Sequence, residues 1–221
     1  MDICKQIIKN GIRHYETSDG RAYPSITSIL SRTKDNSGLD EWRKKMGESV
    51  AEYIMNQAKN TGSATHKIIE QHLKESEIDY SKSPLLARAH FENLKPLLGK
   101  ISNVRGLEIP LFSHNLEVAG TADCVANYDG RLSIIDFKTS RSDKKEDWIK
   151  DYFLQATAYS VMWKEQMGES VDQIVILISS EKTQREAFIK KPVDYIDELT
   201  DRINQYHSKR SLEEITSRPR P

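Results

Sequence analysis

The sequence predicts an α/β fold in which helices flank a mixed central sheet and a helical lobe precedes it. Helical patterns fill most of the first hundred residues, and a meander of three strands follows them. A helix then separates the meander from two further strands, and another helix closes the chain. The meander pairs antiparallel, whereas a helix between the third and fourth strands permits a parallel crossover, so the sheet is mixed. We assign residues 1–100 to the helical lobe and residues 101–221 to the core, both within one domain.

The lobe is predicted to contain a small hairpin and several helices. The hairpin spans residues 11–23, and Ser25 is the predicted N-cap of a short helix. Apolar side chains at three- and four-residue spacing predict further helices over residues 39–59, 63–75 and 84–98. The side chains expected to face inward from these helices include Trp42, Met46, Val50, Tyr53, Ile54, Leu85, Leu86, Ala89, Phe91, Leu94 and Leu97.

The meander begins with a strand from Val104 to Phe112, which carries Glu108, and continues into a hairpin. The segments Val118–Tyr128 and Leu132–Phe137 are both rich in apolar and β-favouring residues. Asp129-Gly130 lies between them, and Asp-Gly flanked by such segments is the strongest short-range signal of a two-residue hairpin turn. We therefore expect the two segments to be adjoining antiparallel strands.

The hairpin brings two acids and a lysine together. Asp123 lies on its first strand and Asp136 near the end of its second, and Lys138 shares a face with Asp136 because strand side chains alternate. Carboxylates that converge at the end of a buried strand repel one another and lose solvation unless a divalent cation joins them. Mg²⁺ is commonly held by one or two carboxylates plus substrate phosphate, and a lysine beside it can position a water. The alternative is two solvated acids and a surface Asp–Lys pair.

His66 and Glu70 form a second candidate pair in the lobe. The small residues Thr61-Gly62-Ser63 precede His66, which is predicted to lie just inside the start of a helix running from Ser63 to Glu75. A histidine in that position could be a metal ligand or a phosphate contact, and Glu70 could orient it. A lone histidine is more often structural, so both interpretations stay open.

The second half of the core adds a basic loop and a helix with a polar interruption. Lys144 and Lys145 lie in a loop and could meet a phosphate chain or simply be solvated. In the predicted helix Asp147–Met167, Gln155 and Tyr159 lie one turn apart on an inward face whose other members, Trp148, Tyr152 and Trp163, are aromatic. A buried amide must find hydrogen-bond partners, and an acidic metal site beside Gln155 would supply one. Gly168 is predicted to end this helix. The remaining predictions are strands at 171–179 and 184–189, a closing helix at 193–215 and a frayed tail at 217–221.

Composition narrows the function classes. The chain has 221 residues and a formal net charge of zero, so a nucleic-acid partner must be met by a local groove rather than by a global basic field. The two cysteines, Cys4 and Cys124, form no CxxC motif, which argues against a zinc or iron–sulfur site and fits a reducing compartment. No apolar segment approaches the length of a membrane span and no signal peptide opens the sequence, so we expect a soluble intracellular protein.

Five short motifs follow one another at compatible spacing. They are Gly62-x-x-x-His66, Glu108, Gly120-x-x-Asp123, Asp136-x-Lys138 and Gln155-x-x-x-Tyr159. Together they resemble the PD-(D/E)xK nuclease superfamily and, within it, the RecB-like exonuclease branch. The similarity is greatest to the mitochondrial genome maintenance exonuclease group and its phage and bacterial relatives. It extends over residues 22–180 and includes Pro24-Ser25-Ile26-Thr27 and Asp136-Phe137-Lys138-Thr139-Ser140.

The resemblance implies a restriction-endonuclease-like core and a role for each motif residue. The implied metal ligands are His66, Asp123, Asp136 and the backbone carbonyl of Phe137. The implied catalytic residues are Asp123, Asp136, Glu108 as an assisting acid, Lys138 as the residue that orients the attacking water, and Gln155 as the residue that orients the lysine. The predicted DNA contacts are Tyr159, Thr139, Ser140, Trp42, Lys144 and Lys145. Ala122 stands where the superfamily name has proline, and the cysteines that hold an iron–sulfur cluster in some relatives are missing, so no cluster is expected.

The resemblance implies a metal-dependent DNA exonuclease that prefers single-stranded DNA or frayed ends. Mg²⁺ is the expected cofactor, with Mn²⁺ as a substitute, and replication, repair or recombination proteins are the expected partners. Two alternatives stay open, a structure-specific endonuclease and a non-catalytic DNA-binding accessory protein of the same fold; the complete acid–lysine set argues against the second. With no transit segment before the domain, the expected location is the cytoplasm of a bacterium or of a phage-infected host cell.

Overall fold

The structure of the protein is a computed structural model that describes residues 4–81, 83–182 and 184–216, with side chains described up to residue 210. The tail at 217–221, for which fraying was predicted, lies outside the described residues. In the described part of the lobe, β1 (Lys5–Lys9), β2 (Ile12–Glu16) and β3 (Ala22–Pro24) form an antiparallel sheet. The helices that follow are α1 (Ile26–Thr33), α2 (Ser37–Met46), α3 (Glu48–Leu73) and α4 (Leu85–Leu98).

The core is a mixed sheet, so the predicted fold class is confirmed. Its strands are β4 (Ile101–Ser113), β5 (Val118–Tyr128), β6 (Arg131–Ser140), β7 (Gln173–Ser180) and β8 (Arg185–Lys190), in that spatial order. Helix α5 (Lys150–Met167) connects β6 to β7, the parallel pair, and the other neighbours are antiparallel. Helix α6 (Ile196–Thr216) closes the described chain, and single 3₁₀ turns precede α5 and α6 at Glu146–Trp148 and Pro192–Tyr195.

Helices cover both faces of the sheet because successive strand residues point to opposite sides. Ile134 of β6 packs in a cluster with residues of α1, α5 and α6, whereas its neighbour Ile135 packs with residues of α3 and α4. The strands β6 and β7 lie in the middle and are buried from both sides, which explains their nearly continuous apolar sequence. Among the described residues, no helix combines the length and the apolar character needed to span a bilayer.

Local signals located several element ends correctly. The Asp129-Gly130 turn joins β5 to β6 with Tyr128 paired to Arg131, as the hairpin signal predicts. The Ser25 hydroxyl accepts a hydrogen bond from the Ser28 backbone N–H, so it caps α1, and Gly168 ends α5 in a left-handed conformation. The small hairpin of the lobe is present as β2 and β3, and β1, which was not predicted, extends it.

The helices before the core differ from the prediction. The pattern placed one helix at 39–59 and a separate one starting at Ser63, but the chain breaks at Gly47 and α3 then runs without interruption to Leu73. Gly47 has a φ of +82°, which glycine adopts easily and which ends α2. His66 therefore lies in the third-last turn of a long helix rather than at a helix start.

Several side chains predicted to face inward are exposed. Tyr53 is 65% exposed and Leu85 81% exposed, and neither has a layer of protein over it. The other exposed members of the predicted inward set are Met46, Val50, Leu86, Ala89 and, on the 3₁₀ turn before α5, Trp148. Helical spacing identifies an apolar face, but the sheet is covered by the second half of α3 and by α4, which leaves the first half of α3 projecting from the core.

Candidate active site

A histidine from α3 and two carboxylates from β4 and β5 form one cluster. The His66 Nε2 atom donates a hydrogen bond to the Phe137 carbonyl oxygen at 2.7 Å. The His66 Nδ1 atom lies 3.5 Å from Asp123 Oδ1 and 3.8 Å from Glu108 Oε1. Within the described ranges, His66, Glu108 and Asp123 are the set of histidine, cysteine and acidic side chains whose ligand atoms lie close enough together to share a metal ion, all within 4.8 Å.

The strands separate where the acids lie. The β5–β6 ladder runs from the turn to the pair Cys124–Ile135, so Asp123 and Asp136 occupy the first positions beyond it. The backbone N–H of Phe137 donates to Asp123 Oδ2 at 2.9 Å, so a carboxylate oxygen accepts there instead of a β5 carbonyl. Asp123 and Asp136 thus lie where β5 and β6 separate, and the hydrogen bond from Phe137 to Asp123 still connects the two strands there.

Glu108 enters this gap from an unusual backbone conformation. Its φ is +47°, in the left-handed region that side chains other than glycine rarely adopt. It lies between the paired residues Leu107 and Ile109 of β4, whose partners Cys124 and Ala122 flank Asp123. Such strained residues persist where the surrounding structure holds them and are concentrated at functional sites. Glu108 was predicted as an assisting acid, and the geometry places it among the metal-type ligands.

Asp136, Lys138 and Gln155 form a second, buried group beside the first. Asp136 is 1% exposed, and its Oδ2 atom lies 2.6 Å from Lys138 Nζ. The Gln155 side chain donates to the other oxygen, Oδ1, at 3.1 Å and also contacts the Tyr159 hydroxyl at 3.3 Å. Both Asp136 oxygens therefore have protein partners, and Asp136 is not among the three clustered metal-type ligands.

Burial and neighbouring charges shift the pKa values of these groups in different directions. Burial lowers the pKa of His66, but Asp123 and Glu108 outweigh it and raise that pKa to about 10. Burial raises the pKa of Asp136 to about 6 although Lys138 counteracts it. Burial would also raise the pKa of Asp123, but His66 and Lys138 keep it below its usual range. In the metal-free site His66 is thus protonated at neutral pH, and its charge balances Asp123.

Tyr159 lies inside the core. It is 2% exposed, and its hydroxyl accepts a hydrogen bond from the Gln155 side chain, so the direct DNA contact predicted for Tyr159 stays a prediction. A Cβ atom on Gly120 would lie 2.8 Å from Tyr159 Cε1 and 3.0 Å from the hydroxyl oxygen. The absence of a side chain at Gly120 is therefore what leaves room for the ring.

The other predicted DNA contacts lie at different distances from the clusters. Thr139 and Ser140 continue β6 directly after Lys138 and are partly exposed. The Lys145 Nζ atom lies 5.5 Å above the ring centre of the exposed Trp148, and Lys144 is its partly exposed neighbour. Trp42 is partly exposed on α2, which packs against α3 and has no buried residues. The structure does not bring Trp42 into the acidic cluster.

Sequence reasoning missed one residue of the site. The Lys138 Nζ atom lies 5.0 Å from the ring centre of Tyr152, a cation–π contact that restricts where the ammonium group can move. Tyr152 lies three residues before Gln155, on the same face of α5. That spacing was the available signal, since the predicted aromatic stripe of the helix contained Tyr152 as a core residue.

The clustered donors suit a divalent cation. One imidazole nitrogen and two carboxylate oxygens are a mixed set that Mg²⁺, Mn²⁺ and similar ions accept, and the Phe137 carbonyl lies against the same histidine. Because His66 is protonated in the metal-free site, its Nδ1 atom must release a proton before it can act as a ligand. The residues present thus fit a metal site that forms more readily as the pH rises.

The raised pKa of His66 predicts a pH-dependent stability of the metal-free protein. Its folded pKa of about 10 lies above the ordinary histidine pKa of 6.5, so the charged histidine stabilises the fold fully below about pH 6.5. This contribution is lost as the pH rises through about 10. Urea unfolding in EDTA should show that the unfolding free energy of wild type exceeds that of His66→Gln most at pH 6 and least at pH 10. A difference that stays constant or grows with pH would contradict the assignment.

Comparison with known proteins identifies relatives of this chain. The sequence profile of the PD-(D/E)XK nuclease superfamily matches residues 37–221. Mitochondrial genome maintenance exonuclease 1 of Homo sapiens is 31% identical over 147 residues, which are 62% of this chain and 42% of the human protein. The Mus musculus protein of the same name is 33% identical over 147 residues, or 62% and 43% of the two chains. The chain thus spans about two fifths of the length of these relatives.

One solved structure also resembles the fold. It is a crystal structure of a Eubacterium rectale protein whose description as an exonuclease is provisional. The TM-score is 0.48 at 14% sequence identity, and the match covers 67% of this chain and 65% of that one.

Proposed function

The chain belongs to the PD-(D/E)XK nuclease superfamily, and from this premise we propose that it is a metal-dependent deoxyribonuclease that degrades DNA from ends. One observation carries the proposal. A cluster suited to a cation, His66 with Glu108 and Asp123, lies beside a buried Asp136–Lys138 pair at the point where β5 and β6 separate. Hydrolysis of a phosphodiester requires a nucleophilic water and compensation of charge on the phosphate, and these two groups can serve both needs.

We assign the cation to His66, Glu108 and Asp123, with Asp136 and the Phe137 carbonyl as the further ligands that the motif predicts. A bound Mg²⁺ lowers the pKa of a coordinated water and neutralises charge on the phosphate. Mn²⁺ accepts the same donors and is expected to substitute. Within the described ranges, Cys4 and Cys124 are buried and are the free cysteines, which gives no support to an iron–sulfur cluster.

We assign the orientation of the attacking water to Lys138. Asp136 Oδ2 and the Tyr152 ring hold its ammonium group, and Gln155 fixes Asp136 through the opposite oxygen. Tyr159 positions Gln155 in turn. In this arrangement Lys138 donates a hydrogen bond to the water from a fixed point, and its positive charge stabilises the phosphate as negative charge develops.

The proposed substrate is single-stranded DNA or a frayed end. The human and mouse relatives are exonucleases by name, which supports action at ends. The partly exposed Trp42 and the basic Arg43, Lys44 and Lys45 on α2 offer the combination of an aromatic ring with positive charge that holds single strands. We propose that the lobe 1–100 and the core 101–221 act as one unit, since the lobe contributes His66. If Trp42→Ala leaves single-strand affinity unchanged, Trp42 has no part in it.

Cleavage of end-labelled linear and circular single-stranded DNA tests this function and separates it from the endonuclease alternative. We expect loss of the linear strand in Mg²⁺, no loss in EDTA, and an intact circle. Cutting of the circle would assign endonuclease action instead. Binding of both forms without cleavage of either would assign the accessory role. A location in the cytoplasm and recruitment by replication, repair or recombination proteins stay predictions.

A further inference from the structure

A cleft opens directly beside the candidate active site and has no role in the chemistry described above. Its volume is about 440 Å³, within the range of small-ligand pockets. One wall contains Tyr53 and Ile54 from α3, and another contains Leu85 and Leu86 from α4. Its floor includes Thr139 and Ser140, the two residues that follow Lys138 on β6. With a rise of about 3.3 Å per strand residue, the cleft begins within about 7 Å of Lys138 along the strand.

His90 supplies a buried polar group beside the apolar walls of this cleft. It lines the cleft and is 3% exposed, and its Nδ1 atom lies 2.8 Å from the Ser179 hydroxyl oxygen. The Asn93 side-chain amide donates to the same hydroxyl at 2.9 Å and to the Gln184 carbonyl at 2.9 Å. Because Ser179 accepts from Asn93, its own O–H is available to donate to His90 Nδ1.

This arrangement lets the Ser179 hydroxyl donate to His90 Nδ1 and so favours a neutral ring with its proton on Nε2. With Nδ1 accepting from Ser179, a neutral His90 carries its proton on Nε2. Burial lowers the pKa of His90, which favours the neutral ring. Among the hydrogen bonds of the described residues His90 takes part only through Nδ1, and His90 lines the cleft, so Nε2 is the ring nitrogen left to donate to an occupant.

The chemistry of the cleft selects the occupant. Its walls are apolar and carry an exposed aromatic ring, and its charged residues are Arg141 and Glu181, which lie 4.0 Å apart. A phosphate would meet the carboxylate of Glu181, whereas a flat, neutral ring with a hydrogen-bond acceptor matches Tyr53, the leucines and His90. Thr139 and Ser140 of β6, which follow Lys138, line the cleft. A flat ring that enters the cleft next to Lys138 would therefore be a base of the DNA strand that is cut.

We propose that this cleft binds one unstacked nucleobase of the substrate strand, next to the scissile phosphate, and that His90 donates a hydrogen bond to a carbonyl or ring-nitrogen acceptor of that base. The inference rests on the proposed nuclease function. The base is held between the Tyr53 ring and the leucine side chains. Such binding accepts any of the four bases, because every base has a flat apolar face. The cleft thereby favours strands whose bases are free of a partner over intact duplex.

The test is an abasic scan of a single strand. One abasic position is moved stepwise along an end-labelled oligonucleotide, and binding is measured with the Lys138→Met variant so that cleavage is slow compared with the measurement. We expect one position near the cut site to weaken binding by about 5- to 150-fold, the cost of losing one stacked base, and the others much less. A flat profile with normal cleavage by wild type would overturn the inference while leaving the nuclease function intact. Absence of cleavage by wild type would overturn the function itself.

Two variants test whether the base at that position binds in the cleft. Leu85→Ser alters a side chain that is 81% exposed, so folding is not at risk, and it should raise KM for single strands while leaving kcat unchanged. His90→Phe should remove the difference between a normal base and an isostere without hydrogen-bond acceptors at the critical position. Val193→Ala is the control, because Val193 is also highly exposed, at 72%, but lies in the 3₁₀ turn before α6 and does not line the cleft. Equal KM values for Leu85→Ser, Val193→Ala and wild type would contradict the proposal.

Discussion

Replacing Lys138 by methionine should reduce the cleavage rate by about 10²- to 10⁴-fold while the protein still binds single-stranded DNA. Methionine keeps much of the length of the side chain but removes the donor that orients water and the charge that faces the phosphate. It also leaves Asp136 buried at 1% exposure without its cation. Since burial already raises the pKa of Asp136, loss of Lys138 should raise it further, and the carboxyl should take up a proton.

The matched control for this prediction is Lys100→Met. Lys100 also pairs with an aspartate, Asp129 at 3.0 Å, and lies over an aromatic ring, that of Tyr128. That pair is exposed at the hairpin turn, far along β5 from Asp123, and its loss should leave stability and cleavage nearly unchanged. Single-turnover cleavage by Lys138→Met within threefold of Lys100→Met would show that Lys138 has no part in the reaction.

Gly120→Ala should lower both stability and activity although it adds one methyl group. The new Cβ would lie 2.8 Å from Tyr159 Cε1, a distance that side chains essentially never adopt, and the ring is buried and cannot swing away. Overpacking of this kind costs about 1–3 kcal/mol of unfolding free energy. Displacement of Tyr159 also disturbs Gln155 and, through it, Asp136. We therefore expect kcat to fall by about 10-fold or more, in line with the sensitivity of catalysis to small misplacements.

Gly62→Ala is the control for glycine loss near the site. Its Cβ would lie 3.5 Å from Thr139 Oγ1, an ordinary contact, and Gly62 is in the interior of α3, where alanine is favoured over glycine by about 0.5–1 kcal/mol. Urea unfolding should thus show Gly62→Ala at least as stable as wild type and Gly120→Ala less stable. The opposite order would mean that the space around Tyr159 does not depend on Gly120.

The sheet and the order of the site residues could be predicted because their signals are local. Asp-Gly between two apolar segments determines the β5–β6 turn, and the alternation of a strand puts Asp136 and Lys138 on one side. A buried glutamine one turn from a tyrosine signals a polar partner nearby, and Gln155 indeed contacts Asp136. Each of these inferences depends on residues that are close in the chain.

The features that escaped prediction depend on distant parts of the chain. Tyr53 and Leu85 have helical apolar spacing, but whether such a face is covered depends on which half of α3 the sheet reaches. Gly62 did not end the helix, because an interior glycine costs only about 1 kcal/mol and the packing of Ile68 and Ile69 outweighs it. The left-handed backbone of Glu108, which places its carboxylate beside His66, likewise has no local sequence signature.

A cation held by His66, Glu108 and Asp123 is the central requirement of the proposed reaction, and cleavage of an end-labelled single strand after removal and return of the metal tests it directly. Wild type in EDTA should be inactive and should recover when Mg²⁺ is restored. Asp123→Asn, which keeps the shape of a side chain 3.5 Å from His66 but removes its charge, should stay inactive with Mg²⁺. Cleavage by wild type in EDTA, or by Asp123→Asn at the wild-type rate, would contradict the account.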